Sequence, residues 1–331
     1  MRPEFPTTRL RRLRASAALR DMLAEVNFTV SNLVAPMFVR KGKGIRQEIP
    51  SMPGQFQFSV DTALETVRKW AGKGLPAVLL FGIPEAKDDV GSEAWDDSAA
   101  VQSLCRQIKQ NVPEMLVITD VCLCEYTEHG HCGTLAELPT GRMDVDNDRT
   151  LVSLAKTALS HARCGADIVA PSAMMDGQVG AIRSALDAEN FPHTAIMSYA
   201  VKFASSMYGP FRDAAESAPK FGDRRTYQMD WRTGSQAIAE AEADLAEGAD
   251  ILMVKPAATY LDLIADVKNR FDAPLAAYHV SGEYSAIKAA AMQGWLDERG
   301  AAVEITGAIR RAGANIIITY FAEQLANWLR Q

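Results

Sequence analysis

Two lysines and a knot of cysteines carry the chemistry this sequence can do. Lys255 ends the run Ala249-Asp-Ile-Leu-Met-Val254 and is followed by Pro256, while Lys202 follows Ala195-Ile-Met-Ser-Tyr-Ala-Val201. Runs this short and apolar read as strands buried on both faces. A lysine at the exit of such a strand loses hydration, which disfavours its ammonium and lowers its pKa. The neutral amine that results is what attack on a carbonyl requires. A lone strand-end lysine more often snorkels into water; a second one in a matching setting shifts that balance. Two amines in one cavity further depress each other by like-charge repulsion. One such lysine suggests an aldolase, whereas two suggest that two carbonyl substrates are held at once.

The cysteines fall in Asp120-Val-Cys122-Leu-Cys124-Glu-Tyr-Thr-Glu-His129-Gly-His131-Cys132-Gly133. Paired cysteines of structural zinc sites are usually separated by two to four residues; here the separations are one and then seven. Three thiolates suit Zn2+ and leave a fourth position for water or substrate. Closure by His129 or His131 would instead make the zinc structural, and three reduced core cysteines are the blander alternative. A third constellation is the segment from Phe203 to Gln228, too long for a tight connection and thus a candidate lid. Within it, Arg212 and Arg224 could clamp a carboxylate bidentately, where solvated arginines would be the ordinary reading.

These groups need elements to position them. Apolar runs at Asn32–Val39, Pro76–Gly82, Met115–Val121, Ala166–Pro171, Ala195–Ala200, Asp250–Lys255, Leu275–Val280 and Asn315–Tyr320 are strand candidates. Helical patterns separate most of them: Val60–Gly72, Ser98–Asn111, Asn147–Cys164, Gln178–Asn190, Gly234–Glu247, Tyr260–Phe271, and Ser285–Gln293 with Ala301–Arg311. Gly165, Gly248 and Gly313 sit where helix C-caps belong. Strand–helix alternation implies a parallel sheet covered by helices. Eight units favour a closed (β/α)8 TIM barrel over an open doubly wound sheet, and neither a dinucleotide fingerprint nor a P-loop is present. In such a barrel catalytic groups sit at the carboxyl ends of strands. Asp120, Ser172, Lys202, Lys255, Ser281 and Tyr320 all fall there.

The bulk properties exclude several classes. A net charge of -6 argues against a general nucleic-acid binder. No apolar run is long enough to span a membrane, and the opening residues lack the apolar core of a secretory signal. Five cysteines, an odd number with three crowded together, suit a reducing compartment. The expectation is a cytoplasmic protein. Residues 1–30 stand apart: Arg2, Arg9, Arg11, Arg12, Arg14 and Arg20 make a basic opening, and Ala15 to Glu25 has helical character. Pro3, Glu4 and Pro6 fit a mitochondrial presequence poorly. An arm for subunit contacts over 1–30, ahead of a catalytic barrel over 31–331, is expected.

With these residues assembled, the chain resembles the porphobilinogen synthases, also called 5-aminolevulinate dehydratases, of the zinc-dependent branch. Beside the cysteine loop, the resemblance rests on Ala170-Pro-Ser-Ala-Met-Met-Asp-Gly177, Met197-Ser-Tyr-Ala-Val-Lys-Phe-Ala-Ser-Ser-Met-Tyr-Gly-Pro-Phe-Arg212, Met253-Val-Lys-Pro256, Tyr278-His-Val-Ser-Gly-Glu283 and Arg311-Ala-Gly-Ala-Asn-Ile-Ile-Ile-Thr-Tyr320. It implies condensation of two 5-aminolevulinate molecules to porphobilinogen, with loss of two waters, in tetrapyrrole synthesis. It implies Schiff bases on Lys255 at the A site and Lys202 at the P site, with Asp120 as an acid/base or orienting group. Cys122, Cys124 and Cys132 would be the catalytic Zn2+ ligands. Arg212, Arg224 and Gln228 would hold the A-site carboxylate and Ser281 with Tyr320 the P-site carboxylate, with Ser172 and Tyr208 also at the substrate. Glu240 would bind an allosteric Mg2+, solvated surface charge being the alternative there. The second zinc site of some animal members is not implied, since Thr226 stands at their cysteine position. A homo-octamer with embracing N-terminal arms is implied as well. Two other readings stand beside this one: a class I aldolase-type lyase on the same barrel using Lys255 alone, and a non-enzymatic zinc-binding scaffold or storage protein with structural cysteines.

Overall fold

The computed structural model describes residues 4–138 and 141–330; Arg2 and Pro3 of the basic opening lie outside them. Eight parallel strands close into a barrel: Leu33–Arg40, Ala77–Ile83, Leu116–Val121, Ile168–Pro171, Ala195–Lys202, Ile251–Lys255, Leu275–His279 and Ile316–Thr319. Each pairs with the next, and the first pairs with the last through Leu33 with Ile317 and Val34 with Ile318. Residues such as Val78, Leu79, Leu80, Val169, Ile196 and Ile317 are fully buried. Burying one such side chain contributes about 1.5–3 kcal/mol, which explains why these strands read as unbroken apolar runs.

The outer helices bury one stripe each. Val60–Gly72 turns Ala63, Leu64, Val67 and Trp70 inward, the spacing a single helical face requires. Asn147–Arg163 and Glu298–Ala312 begin on aspartate caps, Asp146 accepting from the Arg149 amide at 3.0 Å and Asp297 from the Gly300 amide at 2.8 Å. Gly313 ends the latter at φ 125°, where any Cβ would also meet the Lys268 side chain at 2.6 Å.

Three features depart from the sequence expectation. The helix expected from Ser285 begins at Ser281, because Glu283 accepts from the Val280 amide at 2.8 Å and closes its first turn. The segment after the fifth strand is partly helical, with a 3-10 turn at Ser206–Tyr208 and a helix at Gly209–Ala214. Two antiparallel hairpin pairings, Arg46–Glu48 with Phe56–Ser59 and Leu135–Glu137 with Met143–Val145, decorate the barrel. Between Ala15 and Glu25 the expected helix forms over Ala17–Met22, and Phe5, Leu10, Leu13 and Met22 of this arm are exposed. Among the described residues no helix is long and apolar enough to cross a membrane.

One irregularity matters for the site. The fifth and sixth strands pair Ile251 with Met197 and Leu252 with Ser198, then Val254 with Val201 and Lys255 with Lys202. Three steps along the fifth strand match two along the sixth, which is a β-bulge. That extra residue brings the two lysines level.

Candidate active site

Lys202 and Lys255 end adjacent strands and both enter the barrel mouth, 5% exposed each. Four rings surround the Lys255 amine: the centroids of Tyr278, Tyr199, Phe211 and Tyr208 lie 4.4, 4.9, 5.2 and 5.3 Å from Nζ. Such walls offer little water to an ammonium. Burial first, and then the charge of Lys202, pull the Lys255 pKa down to about 7, with Asp120 opposing. Nζ of Lys202 donates to the Ser172 carbonyl oxygen and lies 5.4 Å from the Tyr199 ring. Ser172 Oγ in turn donates to Asp120 Oδ2 at 3.1 Å. Asp120 Oδ1 has no partner among the described residues. Burial, reinforced by Glu125, lifts the Asp120 carboxyl to about 8 despite the two lysines, so it can carry a proton at neutral pH.

The cysteine loop leaves the third strand directly after Asp120 and folds back on itself. The sulfurs of Cys122, Cys124 and Cys132 all lie within 4.8 Å of one another, with Cys122 and Cys124 at 3.5 Å. Hydrogen bonds from the other two thiols pull the Cys132 pKa well down, while burial pushes that of Cys122 well up. Neither histidine joins it. His131 Nδ1 meets the Tyr227 hydroxyl at 3.1 Å and Nε2 the Phe221 carbonyl at 3.0 Å. His129 Nε2 meets the Asp89 carbonyl at 3.2 Å, and its Nδ1 accepts from the His131 amide at 3.1 Å. The donor set is three sulfurs, with the carboxylates of Asp120 and Glu125 grouped closely around Cys122, and three sulfurs fit a borderline-soft divalent cation.

One small cavity is lined by Phe81, Asp120, Cys124, Glu125, Ser172, Lys202, Tyr208, Phe211, Arg224 and Lys255. The segment between the fifth strand and Gln228 covers it. Tyr208 donates to the Lys255 carbonyl at 3.2 Å, and Arg224, 4% exposed, donates to the carbonyls of Gly130 and Ser217 at 2.9 and 2.6 Å. That guanidinium ties the cysteine loop to the covering segment. Nε of Arg224, Nε of Arg212 and the whole Gln228 amide are buried without partners among the described residues, an uncommon concentration of unused hydrogen-bonding groups.

Other expected residues lie off this cavity. Ser281 Oγ accepts from the Phe211 amide at 3.0 Å, and the Tyr320 hydroxyl meets that of Tyr278 at 3.0 Å. Gln228 also borders a separate outer groove with Glu240, Asp176, Thr226 and Asp230. Burial, Asp176 and Glu247 raise the Glu240 pKa. Sequence reasoning passed over Glu125, 2% exposed, whose Oε2 lies 3.3 Å from Cys124 Sγ and whose carboxyl is lifted to about 8 by burial and Cys124. It also passed over the rings of Tyr199, Phe211 and Tyr278, since aromatics near strands read as core filling. The carboxylate inside a cysteine motif was the available signal for Glu125.

Known proteins resemble this chain over nearly its full length. The family model described as Delta-aminolevulinic acid dehydratase matches residues 7–328. A delta-aminolevulinic acid dehydratase of Halalkalibacterium halodurans is 51% identical over 323 residues, covering 98% of this chain and 97% of its own length. One from Archaeoglobus fulgidus is 51% identical over 327 residues, covering 99% of each. The crystal structure of delta-aminolevulinic acid dehydratase (porphobilinogen synthase) from Toxoplasma gondii, in complex with the reaction product porphobilinogen, superposes with a TM-score of 0.93 at 41% identity, covering 97% of this chain and 91% of that one. Agreement of this extent, in sequence and in backbone alike, places the chain in the delta-aminolevulinic acid dehydratase family.

Proposed function

We propose that this chain condenses two molecules of 5-aminolevulinate into porphobilinogen with loss of two waters, each substrate gripped as an imine by one lysine of the Lys202–Lys255 pair. Its family makes it a hydro-lyase of porphyrin biosynthesis. The observation that carries the residue assignment is the placement of Lys202 and Lys255 as cross-strand partners beside Asp120 and Cys124 in one cavity.

Lys255, depressed to about 7, attacks the ketone of the A-site substrate as a neutral amine. Loss of water gives an imine that acidifies the adjacent carbon, and deprotonation there gives an enamine nucleophile. Lys202 holds the P-site substrate in the same way, so that joining the two becomes effectively unimolecular. Asp120, with Ser172 on one oxygen, supplies and removes protons at the carbinolamine oxygens. The unpartnered donors of Arg212, Arg224 and Gln228 suit the A-site carboxylate, and Ser281 with Tyr320 the P-site carboxylate once the covering segment lifts from Ser281. Zn2+ at Cys122, Cys124 and Cys132 would supply Lewis acidity that keeps the A-site amine unprotonated for ring closure.

Glu240, in the outer groove with Asp176, is the proposed allosteric Mg2+ ligand. The exposed apolar side chains of the arm support subunit contacts over residues 1–30 in a homo-octamer, and a cytoplasmic location fits the reduced cysteines.

Borohydride reduction in the presence of isotopically labelled 5-aminolevulinate, followed by peptide mapping, tests the reading. Adducts at Lys255 and Lys202 are expected. An adduct at Lys255 alone, without pyrrole formation, would favour an aldolase-type lyase; no adduct at either lysine would end the proposal.

A further inference from the structure

Tyr199 and Lys202 both point into the barrel, since the Lys202 amine lies 5.4 Å and the Lys255 amine 4.9 Å from the Tyr199 ring. Strict alternation along a strand would put residues three apart on opposite faces. Ser198 and Lys202, four apart, should conversely share a face, yet Ser198 turns outward. Its hydroxyl donates to Oδ2 of Asp244 on the outer helix Gln236–Ala246. The extra residue of the bulge, between Ser198 and Val201, resolves both anomalies. It sits directly after the serine that the helix holds.

Asp244 is an unexpected side chain at that contact. It is 9% exposed, makes no ion pair among the described residues, and faces Glu240 of its own helix, Glu247 just past that helix's end and Asp176 from the loop after the fourth strand. A buried carboxyl in acidic surroundings is costly unless hydrogen-bonded, and an apolar side chain would pack helix on strand more cheaply. What the carboxyl adds is a directional hold on one hydroxyl. We propose that Asp244 is a positioning residue: by fixing Ser198 on the outer face it sets where the fifth strand takes its extra residue, and so keeps Lys202 turned inward and level with Lys255. Were the pairing of Leu252 with Ser198 continued without the bulge, Lys255 would stand opposite Val201, and Lys202 would turn to the outer face, as a one-residue slip requires. This inference rests on the proposed role of Lys202.

The test compares imine trapping at the two lysines in the full-length protein. In the unaltered chain borohydride and labelled 5-aminolevulinate must mark both; failure at Lys202 there overturns the reading of the site itself. The double variant Ser198→Ala/Asp244→Ala removes the pair without leaving a lone buried carboxyl, so it should fold. Labelling of Lys202 relative to Lys255 is expected to fall on the order of tenfold or more, with kcat falling rather than KM rising. Asp244→Asn, which keeps an acceptor for the serine, should restore the original ratio. Should the double variant not fold, Ser198→Ala/Asp244→Leu, which fills the same space with an apolar side chain, carries the same comparison. A folded variant lacking the Ser198 hydroxyl that labels Lys202 and Lys255 in the original ratio would overturn the inference, because a merely structural bond would change stability and leave that ratio alone.

Discussion

Lys202 and Lys255 are Cα partners on neighbouring parallel strands, and their amines flank the same tyrosine ring, that of Tyr199. Their proximity is therefore a property of the barrel wall rather than of a loop, and the charge of Lys202 helps to lower the Lys255 pKa.

The first prediction concerns pH. The Lys255 pKa is lowered to about 7, by burial and secondly by Lys202. The reactive neutral amine therefore accumulates as pH rises, and trapping at Lys255 should climb through about pH 7. Lys202→Met removes a positive charge that disfavours the Lys255 ammonium, so the rising limb should move to higher pH. It should stay well below that of an ordinary lysine, because burial, the larger cause, remains. The pH profile of adduct formation at Lys255 in the two proteins measures this; superimposable limbs would show that the amines do not sense each other.

Both histidines stand outside the three-sulfur cluster, since their ring nitrogens are spent elsewhere. Cys132→Ala should weaken zinc binding by more than about 100-fold, since loss of even an outer-shell partner costs 10–100-fold. His131→Ala should retain a bound ion at near-normal affinity. Chelator competition reads both affinities directly. Loss of zinc from the histidine variant to the extent seen for Cys132→Ala would mean that an imidazole closes the site.

Arg224 gives a prediction about stability. Its guanidinium satisfies two carbonyls, Gly130 on the cysteine loop and Ser217 on the covering segment. Arg224→Gln should leave at least one of them unpaired and cost about 1–3 kcal/mol, read from urea unfolding. A higher KM for 5-aminolevulinate should accompany it if the arginine also grips substrate; a stability loss with unchanged KM would confine it to the scaffold role.

What could be read from the sequence was set by local patterns. The eight barrel strands announced themselves because both faces are buried, and Lys255 because an apolar run ends on it. Lys202 was equally visible as a residue, but its inward direction was not: alternation from Ser198 would have pointed it outward, and only the pairing between strands reveals the bulge. The start of the helix at Ser281 was hidden because Ser281-Gly282 looks like loop, its first turn depending on Glu283 reaching back to Val280. The cysteine spacing suggested a three-sulfur set but left closure by a histidine open, and the exclusion of His129 and His131 depends on Tyr227, Phe221 and Asp89, which are distant in the chain. Glu125 escaped notice for the same reason, since its burial comes from neighbours that the fold supplies.

The arm supports a last prediction. Phe5, Leu10, Leu13 and Met22 are 76%, 70%, 54% and 74% exposed, which leaves their apolar surface free for the proposed contact with a neighbouring subunit. Phe28 and Val30, by contrast, pack against the barrel core. Removing residues 1–26 should therefore spare the barrel, whose closing strand begins at Leu33, and remove subunit contacts. Sedimentation velocity of the shortened chain should show a smaller assembly than the full chain forms at equal concentration, with the thermal unfolding midpoint measured alongside to show that the barrel stays intact. An unchanged assembly mass would assign the subunit contacts to the barrel surface instead.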